Sequence, residues 1–279
     1  MSERGKLRKL LMRVVTVIMI VLITGFSYVT ALLLGMCTPG HVMKLLNGSG
    51  YYTAQAECIE ERLAEITEKA GLSTEIYDGI FESEEIITIT REYTANRIYG
   101  YTDELNKEAV KERLKANIIE MMEAEGKSKA TLDTEALNIY LGQAASIYEQ
   151  TVINGLTLNY STFRSELSKA ALAGISAILV SLGICIWFIY ALTKMRRKTI
   201  SYVIRALESS IILTAVPPII ALVMNVGEKL TYSPEYMKSF TESYIHGVIL
   251  CCLLFSVVLA VFIAALSIIS LRINRRKSK

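Results

Sequence analysis

The sequence is poor in the residues on which most active sites depend. It has only two histidines in 279 residues, and histidine is the side chain that most often acts as a general acid or base. It also lacks a glycine-rich phosphate loop, a nucleophile elbow and the two-histidine helix motif of zinc proteases. Carboxylates are plentiful, but they lie on the polar faces of predicted helices, and no acid–base pair stands out among them. The sequence therefore predicts a protein that is not an enzyme and that binds no cofactor.

The spacing of the histidines gives only a weak metal-binding signal. His41 follows Cys37 by four residues, which suits a metal only on a continuous helix, and Pro39 and Gly40 interrupt that helix. His41 and His246 both fall at the same face of the predicted membrane spans, and we interpret them as interfacial residues. We expect no metal site.

Charge is absent from four long apolar stretches. They cover residues 14–36, 170–193, 211–226 and 245–271, and none contains Asp, Glu, Lys or Arg. Because about 18 apolar residues can form a helix that crosses the bilayer core, the sequence predicts four transmembrane helices. Ionisable side chains inside a membrane commonly mark proton relays and ion paths. Their absence here argues against a proton-coupled carrier.

Basic and acidic residues are divided unevenly between the two sides of these spans. The side with both chain ends carries 15 basic and two acidic residues, whereas the other side carries 15 basic and 25 acidic residues. Since cytoplasmic loops are enriched in Lys and Arg, we expect both termini in the cytoplasm and a plasma-membrane location, most simply in a bacterium. The overall charge of +3 hides this division and does not indicate nucleic-acid binding.

The predicted fold is an all-α integral membrane protein with an extracytoplasmic helical-bundle domain inserted between the first and second of its four transmembrane helices. The segments are a basic N-terminus (1–13), span one (14–36), the extracytoplasmic domain (37–168), span two (169–193), a basic amphipathic link (194–208), span three (209–226), a short outer loop (227–244), span four (245–271) and a basic tail (272–279).

The extracytoplasmic domain is predicted to contain four or five helices. Its first helix has an apolar stripe at steps of four and three residues, formed by Tyr52, Ala56, Ile59, Leu63, Ile66 and Ala70. Residues 86–90 are β-branched and also suit a strand. We predict a helix there because no partner strand is evident nearby. Span two is predicted to continue outwards as one helix over residues 162–193.

Two of the five cysteines lie on the predicted outer side, where a disulfide can persist. Cys37 and Cys58 allow one pairing, and both the disulfide and two free thiols remain open. Cys185, Cys251 and Cys252 lie within spans, where cysteine most simply fills apolar space.

The link between spans two and three has two interpretations. It carries an amphipathic turn formed by Ile200, Val203, Ile204 and Leu207. One interpretation is a helix that lies at the lipid headgroups, with its basic side chains near anionic lipid. The other is a coupling helix that docks a cytoplasmic partner. Further on, Pro217 and Pro218 predict a kink in span three, because proline cannot donate the helical hydrogen bond.

Small residues recur at four-residue spacing in three spans, which lets helices approach closely. They are Ser27, Ala31 and Gly35 in span one, Ala173, Ala177 and Ser181 in span two, and Ser256, Ala260 and Ala264 in span four. We expect them to pack within the four-span bundle, with association between copies of the chain as the alternative. Four tyrosines, Tyr160, Tyr232, Tyr236 and Tyr244, are predicted to form an aromatic belt at the outer membrane face.

The layout of cytoplasmic ends, a large first outer loop and a small second one is similar to two known arrangements. It resembles FtsX-like permeases, which work with a cytoplasmic ATPase, in its four spans and unequal loops. It resembles bacterial chemoreceptors in its outer helical bundle between two spans, although this sequence contains no signalling domain. Both resemblances concern topology alone and assign no residue a role.

These observations favour a non-enzymatic multi-pass membrane protein whose outer domain senses or binds a partner protein, or scaffolds an envelope assembly. The alternative is the membrane subunit of an ATP-driven, permease-like complex whose partner is a cytoplasmic ATPase. A membrane enzyme is the third and weakest interpretation.

Overall fold

The computed structural model describes residues 3–70, 72–124, 134–229 and 234–275. Within these ranges the chain is helical and contains no strand. The helices are α1 (Glu3–Met36), α2 (Pro39–Gly48), α3 (Tyr51–Lys69), α4 (Glu84–Tyr99), α5 (Glu108–Ala124), α6 (Thr134–Val152), α7 (Gly155–Thr193), α8 (Arg196–Val223), α9 (Val226–Lys229) and α10 (Lys238–Arg275). Short 3-10 turns cover Thr74–Ile76 and Glu235–Met237.

Four of the helices in the described ranges, α1, α7, α8 and α10, are long and apolar enough to cross a membrane. The shortest of them, α8, has 28 residues, so at 1.5 Å per residue it exceeds the roughly 30 Å thickness of the hydrocarbon core. For the described residues, this confirms the prediction of an all-helical fold with four helices long and apolar enough to span a membrane.

The chain divides into two compact units. We call residues 1–38, 166–230 and 244–279 the span unit, and residues 39–165 and 231–243 the polar unit. The polar unit thus contains α2 to α6 together with a second, short segment that follows α9. Each unit has its own buried apolar cluster, and the two are described separately below.

Helix α4 settles the ambiguous β-branched segment, since residues 86–90 lie inside it. The side chain of Ser83 accepts a hydrogen bond from the backbone N–H of Ile86 at 3.4 Å, and Glu84 and Glu85 lie in the first turn, where acidic residues complement the helix dipole. The helix ends at Gly100, whose φ of 96° is the left-handed conformation that glycine adopts readily. The prediction of a helix is confirmed.

Two long helices extend further than the sequence indicates. Helix α7 begins at Gly155, before the predicted start at residue 162. Helix α8 joins the predicted link and span three into one helix without a break. Ser210 lies where the predicted link meets span three. Its hydroxyl donates a hydrogen bond to the carbonyl oxygen of Ala206 in the same helix, at 2.8 Å.

An apolar cluster in the polar unit is contributed by α3 to α6 and the turn before α4. On α3, the buried positions include Tyr52, Ala56, Ile59 and Leu63, as the periodicity predicts, whereas Ala70 is exposed. Burying one such leucine or isoleucine contributes about 1.5–3 kcal/mol. The apolar stripe therefore fixes which face of α3 remains exposed.

The core of the span unit is smaller. Its buried members come from α1, α7, α8 and α10, and they are Met19, Ile23, Ile189, Ala206, Leu207 and Leu259. Helices α1 and α8 pack closely in this unit, and Ser27 and Ala31 of α1 are fully buried.

Candidate functional site: an acidic groove on the polar unit

The exposed face of α3 carries three glutamates that line an open groove of about 430 Å³. Glu57, Glu60, Glu61 and Ala64 are separated by three, one and three residues, so they share one side of the helix. Tyr77 forms the opposite wall. We call this feature the acidic groove.

Tyr77 is held in place by the turn that precedes α4. The side chain of Ser73 accepts a hydrogen bond from the backbone N–H of Glu75 at 3.3 Å and so starts the 3-10 turn. The chain then reverses at Gly79, whose φ is 68°. Tyr77 is 7% exposed, so this wall of the groove is rigidly packed. The two acidic residues Asp78 and Glu82 flank the reversal.

Glu60 lies in the groove among other negatively charged side chains. Burial raises the pKa of its carboxyl group, and the negative charges of Glu82, Asp78 and Glu57 raise it further. One carboxylate oxygen, Oε1, is buried and has no hydrogen-bond partner among the described residues. The pKa of Tyr77 is also raised, first by burial and then by the charges of Glu60 and Asp78.

The basic residues of α3 do not neutralise the groove. Arg62 donates to the hydroxyl of Thr151 at 2.8 Å and to the side-chain oxygen of Gln150 at 3.0 Å. Lys69 pairs with Glu65 at 2.7 Å, one turn back along the helix. Glu57, Glu60 and Glu61 therefore have no ion-pair partner among the described residues, and a positively charged ligand would lower their mutual repulsion.

The chemistry available in the groove is binding and proton uptake. Within the described ranges no group of three or more His, Cys, Asp or Glu side chains is placed to hold a metal ion. A carboxyl group with a raised pKa can accept a proton near neutral pH more readily than an ordinary glutamate. A groove with this charge and width suits a basic side chain or a short basic segment.

No family model, no curated protein and no solved structure matches this chain. Its function is therefore inferred from its own residues.

The second segment of the polar unit is fixed by Tyr236. Its hydroxyl donates to the carbonyl oxygen of Thr151 at 3.1 Å and accepts from Asn154 Nδ2 at 3.3 Å. The same Asn154 amide donates to the hydroxyl of Tyr51 at 2.8 Å, and Tyr51 in turn accepts from Gln55 at 3.2 Å. This network of side chains joins residues 234–243 to the larger segment of the polar unit.

The prediction of an aromatic belt is therefore wrong for two of its four tyrosines. Tyr236 and Tyr160 are each 6% exposed, because both are packed inside protein instead of facing lipid. Tyr244 belongs to the span unit, and its hydroxyl donates to the carbonyl oxygen of Met36 at 3.1 Å. Tyr232 lies outside the described residues.

The predicted coupling stripe is only partly packed inside the span unit. Leu207 is 5% exposed and Val203 packs against the same apolar cluster. Ile200 instead lines an open groove beside α7, and Ile204 is half-buried. The stripe is part of the continuous helix α8, and its role as a coupling helix stays a prediction.

The two prolines of α8 lie in the helix interior. A helical N–H bonds to the carbonyl four residues earlier, so Pro217 and Pro218 leave the carbonyl oxygens of Leu213 and Thr214 without their usual donors. The hydroxyl of Tyr28, on α1, lies 2.9 Å from the Leu213 oxygen and 3.4 Å from the Thr214 oxygen. The helix continues to Val223, and the kink stays a prediction.

The structure brings only part of the small-residue pattern together. In α1, Ser27 and Ala31 are fully buried, and a Cβ on Gly35 would lie 3.3 Å from a methyl group of Val248 in α10. Ser256 of α10 is buried. The remaining members do not pack tightly in this chain: Ala173, Ala177, Ala260 and Ala264 are exposed, and Ser181 is half-buried.

The cysteines are in the thiol form in the structure, and the disulfide between Cys37 and Cys58 stays a prediction. Cys58 lies on α3, and burial raises the pKa of its thiol while the neighbouring Arg62 lowers it. A thiol with a raised pKa is a poor nucleophile near neutral pH.

Sequence reasoning identified the glutamates of α3 but not the groove. The spacing of residues 57, 60 and 61 places them on one side of a helix, and that signal is visible in the sequence. The opposing wall at Tyr77 comes from a turn whose position depends on tertiary packing. The sequence gives no sign that Tyr236 is buried, since a buried tyrosine and an interfacial tyrosine cannot be told apart in one sequence.

Proposed function

We propose that this protein is a non-enzymatic, multi-pass plasma-membrane protein whose polar unit lies outside the cytoplasm and binds a basic partner protein in the acidic groove. The proposal combines three elements: four membrane-spanning helices, an outer domain and a partner site. The first is supported by four helices that are long and apolar enough to cross a membrane, and the other two by charge and contacts.

The orientation is supported by the distribution of basic residues. The segments next to the spans that would face the cytoplasm carry 15 basic and two acidic residues, which matches the excess of Lys and Arg in cytoplasmic loops. With this orientation, both segments of the polar unit fall on the outer side. The acidic groove would then face the extracytoplasmic space.

The observation that carries the partner site is the uncompensated charge of the groove. Glu57, Glu60 and Glu61 converge on one open cavity, and the nearby arginine and lysine of α3 are committed to other side chains. Complementary charge steers association and fixes the register of an interface. A basic, extended segment of a partner protein is therefore the ligand that fits this groove best.

Sensing is supported by the way the polar unit is connected. Its two segments, 39–165 and 231–243, leave the unit at four points along the chain, so it is covalently joined to α1, α7, α10 and, through α9, to α8. The Tyr236 network makes these two segments one folded body. A partner that changes the packing of this body would act on every span at once.

The test is site-specific photo-crosslinking in cells that express the full-length protein. A benzophenone amino acid at Ala64, which lines the groove, is compared with the same amino acid at Ala116, an exposed alanine on α5. We expect a discrete adduct from position 64 only, and we expect Glu57→Gln combined with Glu61→Gln to weaken it. No adduct at position 64, or the same adducts at both positions, would overturn the proposal.

The alternative, a membrane subunit of an ATP-driven complex, has less support. It requires an accessible coupling helix, and Val203 and Leu207 face the apolar cluster of the span unit. A cytoplasmic ATPase that copurifies at equal stoichiometry with the full-length protein would nevertheless favour this alternative over an outer binding protein.

A further inference from the structure

Helices α7 and α8 form an open, mostly apolar groove at one end of the span unit. Only Lys194 and Met195 separate the two helices, and the chain reverses because Lys194 adopts a φ of 51°. The groove has a volume of about 510 Å³, which lies in the range of small-molecule sites. We call it the lateral groove.

The walls of the lateral groove are suited to an acyl chain. On α7 it is lined by Gly183, Ile186, Trp187 and Tyr190, which form one stripe of the helix. Trp187 is 67% exposed, so the groove opens to the side of the unit. Tryptophan and tyrosine prefer the depth at which lipid headgroups meet hydrocarbon, and their presence places the groove mouth at that depth.

The other wall carries unbalanced positive charge. Arg196 lines the groove, and Arg197 and Lys198 follow it in the first turn of α8. Acidic residues stabilise the N-terminal end of a helix, because the helix dipole is positive there. The first turn of α8 contains no acidic residue. None of these three basic residues forms an ion pair with another described residue.

None of the described residues that line the groove is acidic. The end of α7 presents carbonyl oxygens, but that of Leu192 already accepts a hydrogen bond from the Arg8 guanidinium. Thr193 and Thr199 bond to each other at 3.1 Å and do not face an acid. An anionic group at the groove mouth would therefore meet the Arg196 guanidinium and no carboxylate among the described residues that line the groove.

We propose that the lateral groove is a binding site for one anionic phospholipid, with an acyl chain along Ile186 and Trp187 and the phosphate beside Arg196. The apolar wall excludes a soluble anion as the main ligand, and the basic mouth selects against zwitterionic lipid. This inference depends on neither the orientation of the protein nor the outer partner.

The single tryptophan of the chain makes the site directly observable. Brominated lipids quench tryptophan fluorescence at short range, so the full-length protein in phosphatidylcholine bilayers is titrated with brominated phosphatidylglycerol and, separately, with brominated phosphatidylcholine. We expect phosphatidylglycerol to quench Trp187 at a lower mole fraction and to saturate. Equal quenching by the two lipids would show that only bulk lipid contacts Trp187 and would overturn the proposal.

Three variants separate a bound lipid from general surface charge. Arg196→Gln is expected to weaken the preference for the anionic lipid about fivefold, which corresponds to the loss of one basic contact at the surface. Arg196→Lys should retain most of the preference. Arg13→Gln removes an equal charge from an exposed position on α1 that does not line the groove, and it should have little effect. Equal losses in Arg196→Gln and Arg13→Gln would overturn the site.

A fourth variant tests the apolar part without changing charge. A Cβ on Gly183 would have no atom within 4 Å, so Gly183→Leu can be accommodated while its side chain fills the groove. We expect this variant to lose selective quenching by phosphatidylglycerol. If its preference matches that of the unmodified protein, the acyl chain does not occupy the groove and the proposal fails.

Discussion

Tyr28 on α1 donates a hydrogen bond to the carbonyl oxygen of Leu213 on α8, at 2.9 Å. Leu213 lies four residues before Pro217, which has no N–H to offer it. The tyrosine hydroxyl thus replaces a donor that the proline removed, and it does so from another helix. Ser210 adds a second contact, with its hydroxyl 3.2 Å from the carbonyl oxygen of Ile20. The α1–α8 pair is therefore held by polar contacts as well as by packing.

The first prediction concerns this substitute donor. Tyr28→Phe removes the hydroxyl and should destabilise the span unit by about 0.6–1.7 kcal/mol, the range found for hydrogen bonds between membrane helices. Pro217→Ala restores the helical N–H to Leu213. The cost of Tyr28→Phe should then be smaller in the Pro217→Ala background, because the carbonyl no longer depends on the tyrosine.

The measurement is a double-mutant cycle, with unfolding by SDS in mixed micelles followed by circular dichroism. A cost of Tyr28→Phe that is equal in both backgrounds would show that the two residues are not coupled. In that case the tyrosine would act through packing alone.

The second prediction compares two glycines of α1. A Cβ at Gly35 would lie 3.3 Å from Val248 Cγ2 and 3.4 Å from its Cα, whereas a Cβ at Gly25 would have no atom within 4 Å. Gly35→Leu should therefore force α1 and α10 apart and lower thermal stability strongly, by roughly 1–3 kcal/mol or more. Gly25→Leu should be tolerated. Thermal denaturation of the detergent-solubilised protein, followed by size-exclusion chromatography, distinguishes them, and equal tolerance would contradict the close contact.

Much of the helical architecture could be predicted from the sequence, because it follows from local physics. The apolar stripe of α3 repeats with the helical period, and Tyr52, Ala56, Ile59 and Leu63 are buried accordingly. The β-branched segment 86–90 was ambiguous by propensity, and its flanking Ser83 cap and Gly100 end decide in favour of a helix.

The contacts that join distant segments could not be predicted in the same way. Nothing near Tyr236 in the sequence points to Thr151 or Asn154, which lie more than 80 residues away. The lateral groove also depends on the reversal at Lys194, a non-glycine residue with positive φ. Spacing rules describe one helix at a time, whereas such sites depend on how helices meet.

The third prediction concerns Tyr236, which fixes the second segment in the polar unit. Tyr236→Phe keeps the ring but removes its hydrogen bonds to Thr151 and Asn154. The Thr151 carbonyl oxygen still accepts from Gln55 at 3.1 Å, and the Asn154 amide still donates to Tyr51 at 2.8 Å, so the substitution should cost about 0.5–1.5 kcal/mol, the net value of a hydrogen bond. Tyr101 is 66% exposed, so Tyr101→Phe is the matched control and should cost little. Hydrogen exchange should show faster exchange in α3 and at the end of α6 for Tyr236→Phe only. Unchanged exchange there would mean that the segment is held by its ring contacts alone.

The fourth prediction concerns pH and the acidic groove. The pKa of Glu60 in the folded protein is raised above the ordinary value of 4.5, so the folded state binds this proton more tightly than the unfolded state does. Its favourable contribution is fully present below about pH 4.5 and is lost as the pH rises through the raised value. Glu60→Gln should therefore stabilise the protein at neutral pH and have little effect near pH 4. The gain should be less than about 1 kcal/mol, because water still reaches part of the carboxylate.

Glu65 on the same helix provides a control of opposite sign. Its hydrogen bond and ion pair with Lys69 lower its pKa, so its contribution is present at neutral pH and is lost as the pH falls through the lowered value. Glu65→Gln should accordingly change stability at neutral pH in the opposite direction to Glu60→Gln. Melting temperatures of the full-length protein measured between pH 4 and pH 8 compare the two variants directly. If both variants shift stability in the same direction at neutral pH, the groove does not concentrate uncompensated negative charge, and a basic partner would gain nothing by binding there.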